Sequence, residues 1–192
     1  MHKLLFDLPE YLETARLLLR PYRAGDGTAY YAVCQRNRDH LLPFEVGNPA
    51  LNVQTPEQAE ILMRHFAAEW AARNAFFWGA WEQATGGFAA QMYVGVVDWE
   101  LPEFEIGYFV DIAHEGRGFV TEAVQAVLRW LFHEMGAHRV RLGCNETNVR
   151  SWRVAERCGF VREGHLRQTR KHILLPDGTY SVDVTDNANV LN

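Results

Sequence analysis

Cysteine is scarce and falls in no recognisable pattern. Cys34, Cys144 and Cys158 are widely spaced, and no CxxC occurs. An odd count in a 192-residue chain argues against a disulfide framework and against a Cys-rich zinc site. Reduced thiols, and with them the cytoplasm, are the expectation. Basic charge is also short. Lys+Arg number 19 against 24 Asp+Glu, a net charge of −5. Nucleic-acid affinity is supplied by clustered Lys and Arg on phosphates, so no nucleic-acid partner is expected. The longest basic cluster, Arg167 to His172, reads as a solvated strand or loop. No stretch approaches the roughly 18 apolar residues of a membrane helix, so no membrane partner is expected. The opening MHKLLFDLPEYLE has only a short apolar patch, broken by Asp7, too brief for a signal-peptide core. A Walker loop, GxxxxGK[ST], is missing, and no histidines sit at metal-ligand spacing; no metal is expected.

What is there is an ordinary globular composition, 48 % hydrophobic and 22 % charged. A chain this long can bury a full core without staples, and no linker or repeat divides it. One domain spanning 1–192 is expected.

Local patterns give an order of elements. Ala15 to Arg23 reads as a strand, with Pro21 at its edge or end. Asp26 is placed to cap a helix through Tyr30, Val33 and Cys34. Leu41 to Val53, with two prolines and a glycine, reads as a loop. Thr55-Pro56-Glu57-Gln58 is a helix start, with a Thr cap, Pro at the first helical position and Gln three residues after the cap. Phe76–Trp81 and Phe88–Trp99 read as strands around Gly86-Gly87, and Glu103 to Asp111 alternates. Phe104, Ile106, Tyr108 and Val110 share one face of that strand. A loop from Ile112 to Gly118 leads to a helix with a continuous apolar stripe, stopped at Gly136. His138–Cys144 is a strand and Asn148–Cys158 a helix. Phe160–Leu175 and Tyr180–Leu191 read as late strands around Pro176-Asp177-Gly178. The class is α/β (α+β): a mixed sheet with helices on both faces and one parallel crossover.

The chemistry sits in Ala113 to Ala123, AHEGRGFVTEA, between a strand and a helix. Gly116 and Gly118 let the backbone curl so that several N–H groups converge on one anion. The helix behind adds unsatisfied N–H donors and the positive end of its dipole. This reads as a pyrophosphate cradle, or as a strand–helix connection with glycines for tightness. The dinucleotide fingerprint GxGxxG fails where Thr121 stands.

A second segment, Asn145 to Phe160, carries Asn148, Ser151 and a terminal Gly159-Phe160. Together the two segments resemble the GNAT (GCN5-related N-acetyltransferase) superfamily, whose phosphate loop is [QR]-x-x-G-x-[GA]. A later helix there carries N-x-x-[SA] and ends in G-F. The opening ETARLLLRPYRAGD, the strand EFEIGYFV and the start GFVTEA are similar to the RimJ/RimL-type branch. The chain departs at Glu115, in place of Gln or Arg, at Val120, in place of Gly or Ala, and at Tyr180-Ser181-Val182-Asp183, where the branch often has Tyr-His-Asp.

The resemblance implies the GNAT fold: a mostly antiparallel sheet with a parallel strand pair that splays apart to take the pantetheine arm, at Glu105–Asp111 and Arg141–Asn145. It implies acetyl-CoA as co-substrate, held by Phe109, Val110, Gly116, Arg117, Gly118, Phe119, Val120, Thr121, Asn148 and Ser151. A backbone N–H near Phe109 or Val110 is the oxyanion donor. Ser151 matches the branch's general acid, and Ala155 stands where many relatives have a catalytic Tyr. Glu105 is the candidate base, with Glu103 and Asp98 as rivals. His114 could touch a phosphate, and Trp78, Trp81 and Trp99 could line the acceptor side. The implied activity is acetyl transfer to a primary amine, of a protein or peptide N-terminus or a small molecule, with a homodimer as the expected assembly. The alternative is a non-catalytic acyl-CoA-binding regulatory module.

Overall fold

Helix α2 (Pro56–Ala72) begins where its local chemistry dictates. Thr55 accepts the Gln58 N–H at 3.1 Å, and the Gln58 side chain accepts the Gln54 N–H at 2.8 Å. In this computed structural model, residues 2–45, 47–145, 147–165 and 186–191 are described, the last stretch as backbone. Before α2 come β1 (Leu12–Glu13), β2 (Leu17–Pro21) and α1 (Gly27–Leu41). After it come β3 (Ala75–Glu82), β4 (Phe88–Asp98), β5 (Glu103–Val110), α3 (Phe119–His133), β6 (Arg139–Asn145), α4 (Val149–Arg157), β7 (Val161–Arg162) and β8 (Asp186–Leu191).

The strands form one mixed sheet in the order β1-β2-β3-β4-β5-β6-β8-β7. Every described pairing is antiparallel except β5 with β6. That parallel pair is joined by α3, the crossover read from the sequence. Each face of the sheet has its own core. On one, Phe76, Trp78, Met92, Val94, Phe104 and Ile106 pack against α3 residues such as Val124, Val127 and Leu131. On the other, Tyr22, Phe88 and Phe109 meet Tyr30, Met63 and Phe66 of α1 and α2. Successive strand residues alternate between faces, so both halves of each central strand are apolar. Full burial of each large side chain contributes about 1.5–3 kcal/mol.

Several expectations need correction. The strand read over Ala15–Arg23 spans only Leu17–Pro21, ending at Pro21 as expected, and a short β1 precedes it. Asp26 stands at the N-cap position of α1, but its side chain makes no capping hydrogen bond there. Its carboxylate takes both terminal nitrogens of Arg20, at 2.7 and 2.9 Å, and Glu60 of α2 receives the Gly25 and Gly27 N–H groups instead. A two-pronged charged partner outcompetes a single backbone donor. Inside the expected loop, α1 runs to Leu41 and a 3-10 turn occupies Pro49–Asn52. The basic cluster Arg167–His172, the turn Pro176–Gly178 and the Tyr180–Asp183 run lie outside the described residues. The late strands are described only as β7 and β8.

Candidate active site

The parallel pairing of β5 and β6 runs from Glu103–Arg139 to Ile106–Leu142 and stops there. Both strands continue, β5 to Val110 and β6 to Asn145, so they part beyond Ile106. On its other edge β5 stays paired with β4, and Asp111 donates its N–H to Ala89 at 2.9 Å. N–H directions alternate along an antiparallel strand, so Val110 turns its N–H toward the parted edge and Phe109 does not. The Phe109 ring packs in the α1/α2 core.

At the end of the parted strand lies the glycine loop. Gly116 and Gly118 have φ of 73° and 78°, the left-handed region, and Gly118 is the N-cap of α3. The first bond closing the helix runs from the Glu122 N–H to the Gly118 carbonyl at 3.2 Å. The N–H groups of Phe119, Val120 and Thr121 precede it, and these residues border a cleft of about 520 Å³. The opposite wall is α4, which presents Arg150, Arg153, Val154 and Arg157. These positions recur at helical spacing, a signal the sequence carried and the reading above missed. Converging N–H groups, a helix N-terminus and three guanidiniums suit a phosphorylated ligand, and the coenzyme A diphosphate fits this donor set.

A second cleft, about 160 Å³, adjoins the first and shares Val110, Glu115, Val120, Arg150 and Val154 with it. It is also lined by His40 and Leu41 at the end of α1, by Phe44 and Glu45 just after it, and by Tyr108, Phe109, Asn148 and Ser151. Asn148 caps α4 by accepting the Ser151 N–H at 3.2 Å. Tyr108 donates to the Ser151 carbonyl at 2.8 Å, and its oxygen accepts the Ser151 hydroxyl at 3.3 Å. Burial raises the Tyr108 phenol well above its ordinary value. The Ser151 hydrogen bond lowers it, and the charges of Cys144, Cys158 and Glu45 add to the rise. Neither Tyr108 nor Glu45 stood out in the sequence, where one is a strand aromatic and the other a loop carboxylate.

The loop is braced from behind. The Arg117 side chain pairs with Glu82 of β3 and does not border the larger cleft, and its guanidinium lies 4.6 Å from the Phe119 ring centroid. Arg16 lies at the same distance from that ring and binds Glu122 and the Arg117 carbonyl. His114 borders the larger cleft, with its Nε2 3.7 Å from Glu82. Buried Asp111 holds Arg36, and Asn37 accepts the Ile112 N–H at 2.8 Å, which pins α1 to the loop.

Glu105 is not brought to either cleft. It lies in the still-paired stretch of β5, opposite Arg141, whose Nε is 3.3 Å from its carboxylate. Glu103 is likewise turned to Arg139 and Arg141, and Asp98 caps the turn after β4. Nor do the tryptophans line the clefts. Trp78 is buried against Trp70 and Trp130, Trp81 lies under Arg20, and Trp99 packs on Phe6 and Phe104. Glu115, the charged departure from the loop pattern, faces Arg150 at 2.6 Å and His40 at 3.5 Å. Among the described residues no His, Cys, Asp and Glu cluster could hold a metal, and no helix is long and apolar enough to cross a membrane.

Three known proteins mark the similarity. The chain is 47 % identical over 66 residues to the probable N-acetyltransferase YjcK of Bacillus subtilis, covering 34 % of this chain and 36 % of that one. It is 38 % identical over 64 residues to the ribosomal-protein-serine acetyltransferase of Escherichia coli, covering 33 % and 36 %. In both, the match spans little more than a third of the relative's length. Among solved structures, RimJ of Mycobacterium smegmatis, in complex with CoA-disulfide, superposes with a TM-score of 0.80 at 23 % identity, covering 100 % of this chain and 90 % of that one. Residues 16–161 match the acetyltransferase (GNAT) domain, which takes in the parted strands, the glycine loop and α4, and the chain belongs to the GNAT acetyltransferase family.

Proposed function

We propose that this chain is an acetyl-CoA-dependent N-acetyltransferase, one domain over 1–192, acting in the cytoplasm on a primary amine. One observation carries the reading: the β5/β6 pair opens directly between an anion cradle and a small cleft that holds hydroxyl and carboxylate groups. Direct transfer needs both substrates to meet at such an opening, with the amine neutral, the carbonyl oxygen stabilised and the thiol reprotonated.

The backbone N–H groups at Gly118, Phe119, Val120 and Thr121, with Arg150, Arg153 and Arg157, would hold the phosphates. The cofactor supplies an acetyl thioester. The Val110 N–H is oriented to donate to its carbonyl oxygen. Asn148 and Ser151 border the thiol end. Glu45, which lines the small cleft with Leu41 and Phe44, would receive the acceptor ammonium and take its proton. This replaces Glu105, which Arg141 engages. A protein amine, which we read as an N-terminus, is the favoured acceptor; the Escherichia coli relative is named for acetylating a ribosomal protein. A weakly acidic chain also favours cationic acceptors.

Calorimetry with coenzyme A and a thiol-release assay over an amine panel test this. Turnover with at least one amine is the expected result. The other reading, a non-catalytic acyl-CoA-binding module, is favoured by Ala155, fully buried where a catalytic hydroxyl would otherwise stand. Tight coenzyme A binding without thiol release from any amine would select it.

A further inference from the structure

The two clefts meet along Val110, Val120, Val154, Glu115 and Arg150, which line both. Three valines and one ion pair thus form the partition. Its only charges are the Glu115 carboxylate and the Arg150 guanidinium, 2.6 Å apart. The same Glu115 oxygen lies 3.5 Å from Nε2 of His40, which lines the small cleft and not the larger one. The carboxylate therefore stands between a cation within reach of the larger cleft and the His40 wall of the smaller one. The family pattern has Gln or Arg at this position, so the pair is a feature of this chain.

The pair is open to water: the Arg150 side chain is 80 % exposed and that of Glu115 29 %. An exposed ion pair is weak, about three- to fivefold in an equilibrium constant. A diphosphate offers more, with two charges and several oxygens that accept a guanidinium fork. Arg153 and Arg157, at helical spacing from Arg150 and lining the same cleft, draw the anion to this wall. Once the diphosphate takes Arg150, Glu115 loses its neutralising partner while His40 stays beside it. Its charge is then added to a cleft that Glu45 already lines.

We propose that the Glu115–Arg150 pair is an electrostatic relay between the two substrate sites: coenzyme A takes Arg150, and the freed Glu115 carboxylate attracts a primary ammonium with an apolar tail into the small cleft. This rests on the acetyl-CoA reading. The apolar tail follows from Leu41, Phe44 and Phe109, which line that cleft. No covalent bond changes; two ion pairs, diphosphate with Arg150 and ammonium with Glu115, replace one. In the free protein Arg150 cancels the Glu115 charge, so the ammonium is held best after the cofactor has bound. Such coupling is reciprocal, and an ammonium in the small cleft tightens coenzyme A by the same factor.

Calorimetry of coenzyme A against the full chain tests this, in millimolar butylammonium chloride or in sodium chloride at equal ionic strength. Without a thioester no turnover interferes. Butylammonium should tighten coenzyme A about threefold in the wild type, the scale of an exposed ion pair, while butanol leaves it unchanged. Glu115→Gln should bind coenzyme A alone more tightly than the wild type and lose the butylammonium effect. Arg150→Met, in which Glu115 is released from the outset, should bind butylammonium equally with and without coenzyme A. No tightening in the wild type, or equal tightening in Glu115→Gln, overturns the relay while coenzyme A binding and acetyl transfer stand. Failure of coenzyme A to bind the wild type removes the functional reading itself. Should Glu115→Gln fail to fold, Arg150→Met decides alone: a butylammonium effect equal to that of the wild type refutes the relay.

Discussion

The Glu115 carboxylate lies 2.6 Å from the Arg150 guanidinium, and both residues border both clefts. The carboxylate therefore occupies a cation at the border of the larger cleft, and on the acetyl-CoA reading an incoming diphosphate competes with it. Glu115→Gln should tighten coenzyme A binding about three- to fivefold, the scale of an exposed ion pair, and Arg150→Ala should weaken it. Calorimetry at low and moderate salt checks this. Weaker binding by Glu115→Gln would mean that the carboxylate orients Arg150 productively.

Gly118 has φ of 78°, and Arg16 is the nearest group to an added Cβ, at 3.6 Å. Space is thus available and backbone strain is the cost. Gly118→Ala should lose about 1–2 kcal/mol of stability through the left-handed conformation. It should also weaken coenzyme A binding about tenfold by turning the loop N–H groups away. Denaturant midpoints and calorimetry measure the two effects.

Glu45 and Glu105 separate by position. Glu45 borders the small cleft, whereas Glu105 faces Arg141 in the closed part of the strand pair. Glu45→Gln should lower kcat/KM about 10- to 100-fold and steepen the demand for high pH, since the amine must then arrive neutral. Glu105→Gln should stay within about twofold. The opposite ranking in pH–rate profiles would restore Glu105 as the base.

Glu122 ties α3 to the turn between β1 and β2. Burial acts to raise its carboxyl, but hydrogen bonds from Thr14 and Arg16, with the Arg16 charge, outweigh that and hold it below 4.5. Glu82 is held low by its Thr85 hydrogen bond and by Arg117, against desolvation. Folded values below unfolded ones stabilise the protein fully above about pH 4.5, and this is lost as pH falls through the folded values. Thermal unfolding should show a falling acid limb there. Glu122→Gln should lower Tm by about 2–4 °C at pH 7 and flatten that limb.

Features specified by neighbours along the chain were legible in the sequence. Thr55, Pro56 and Gln58 fix the start of α2 because a cap reaches only two or three residues. The α3 stripe, the alternation of β5 and the glycine curl at Gly116 and Gly118 follow from periodicities of 3.6 and 2 and from the absence of Cβ. The motif spacing in α4, taken together with the glycine loop, was enough to bring the family into view.

What the sequence by itself determined, then, is most of the elements, their apolar faces and the glycine curl before α3, each written within one or two turns of chain. Tertiary structure alone decided which partner each charged group takes. Arg20 and Glu60 reassign the start of α1, and Glu82 draws Arg117 away from the cleft. Arg141 holds Glu105, and Tyr108 finds Ser151 only where β5 and β6 part. The physical reason is range: helical and strand preferences are set by adjacent residues, whereas a side chain that carries charge or a proton takes its role from partners brought close by the fold.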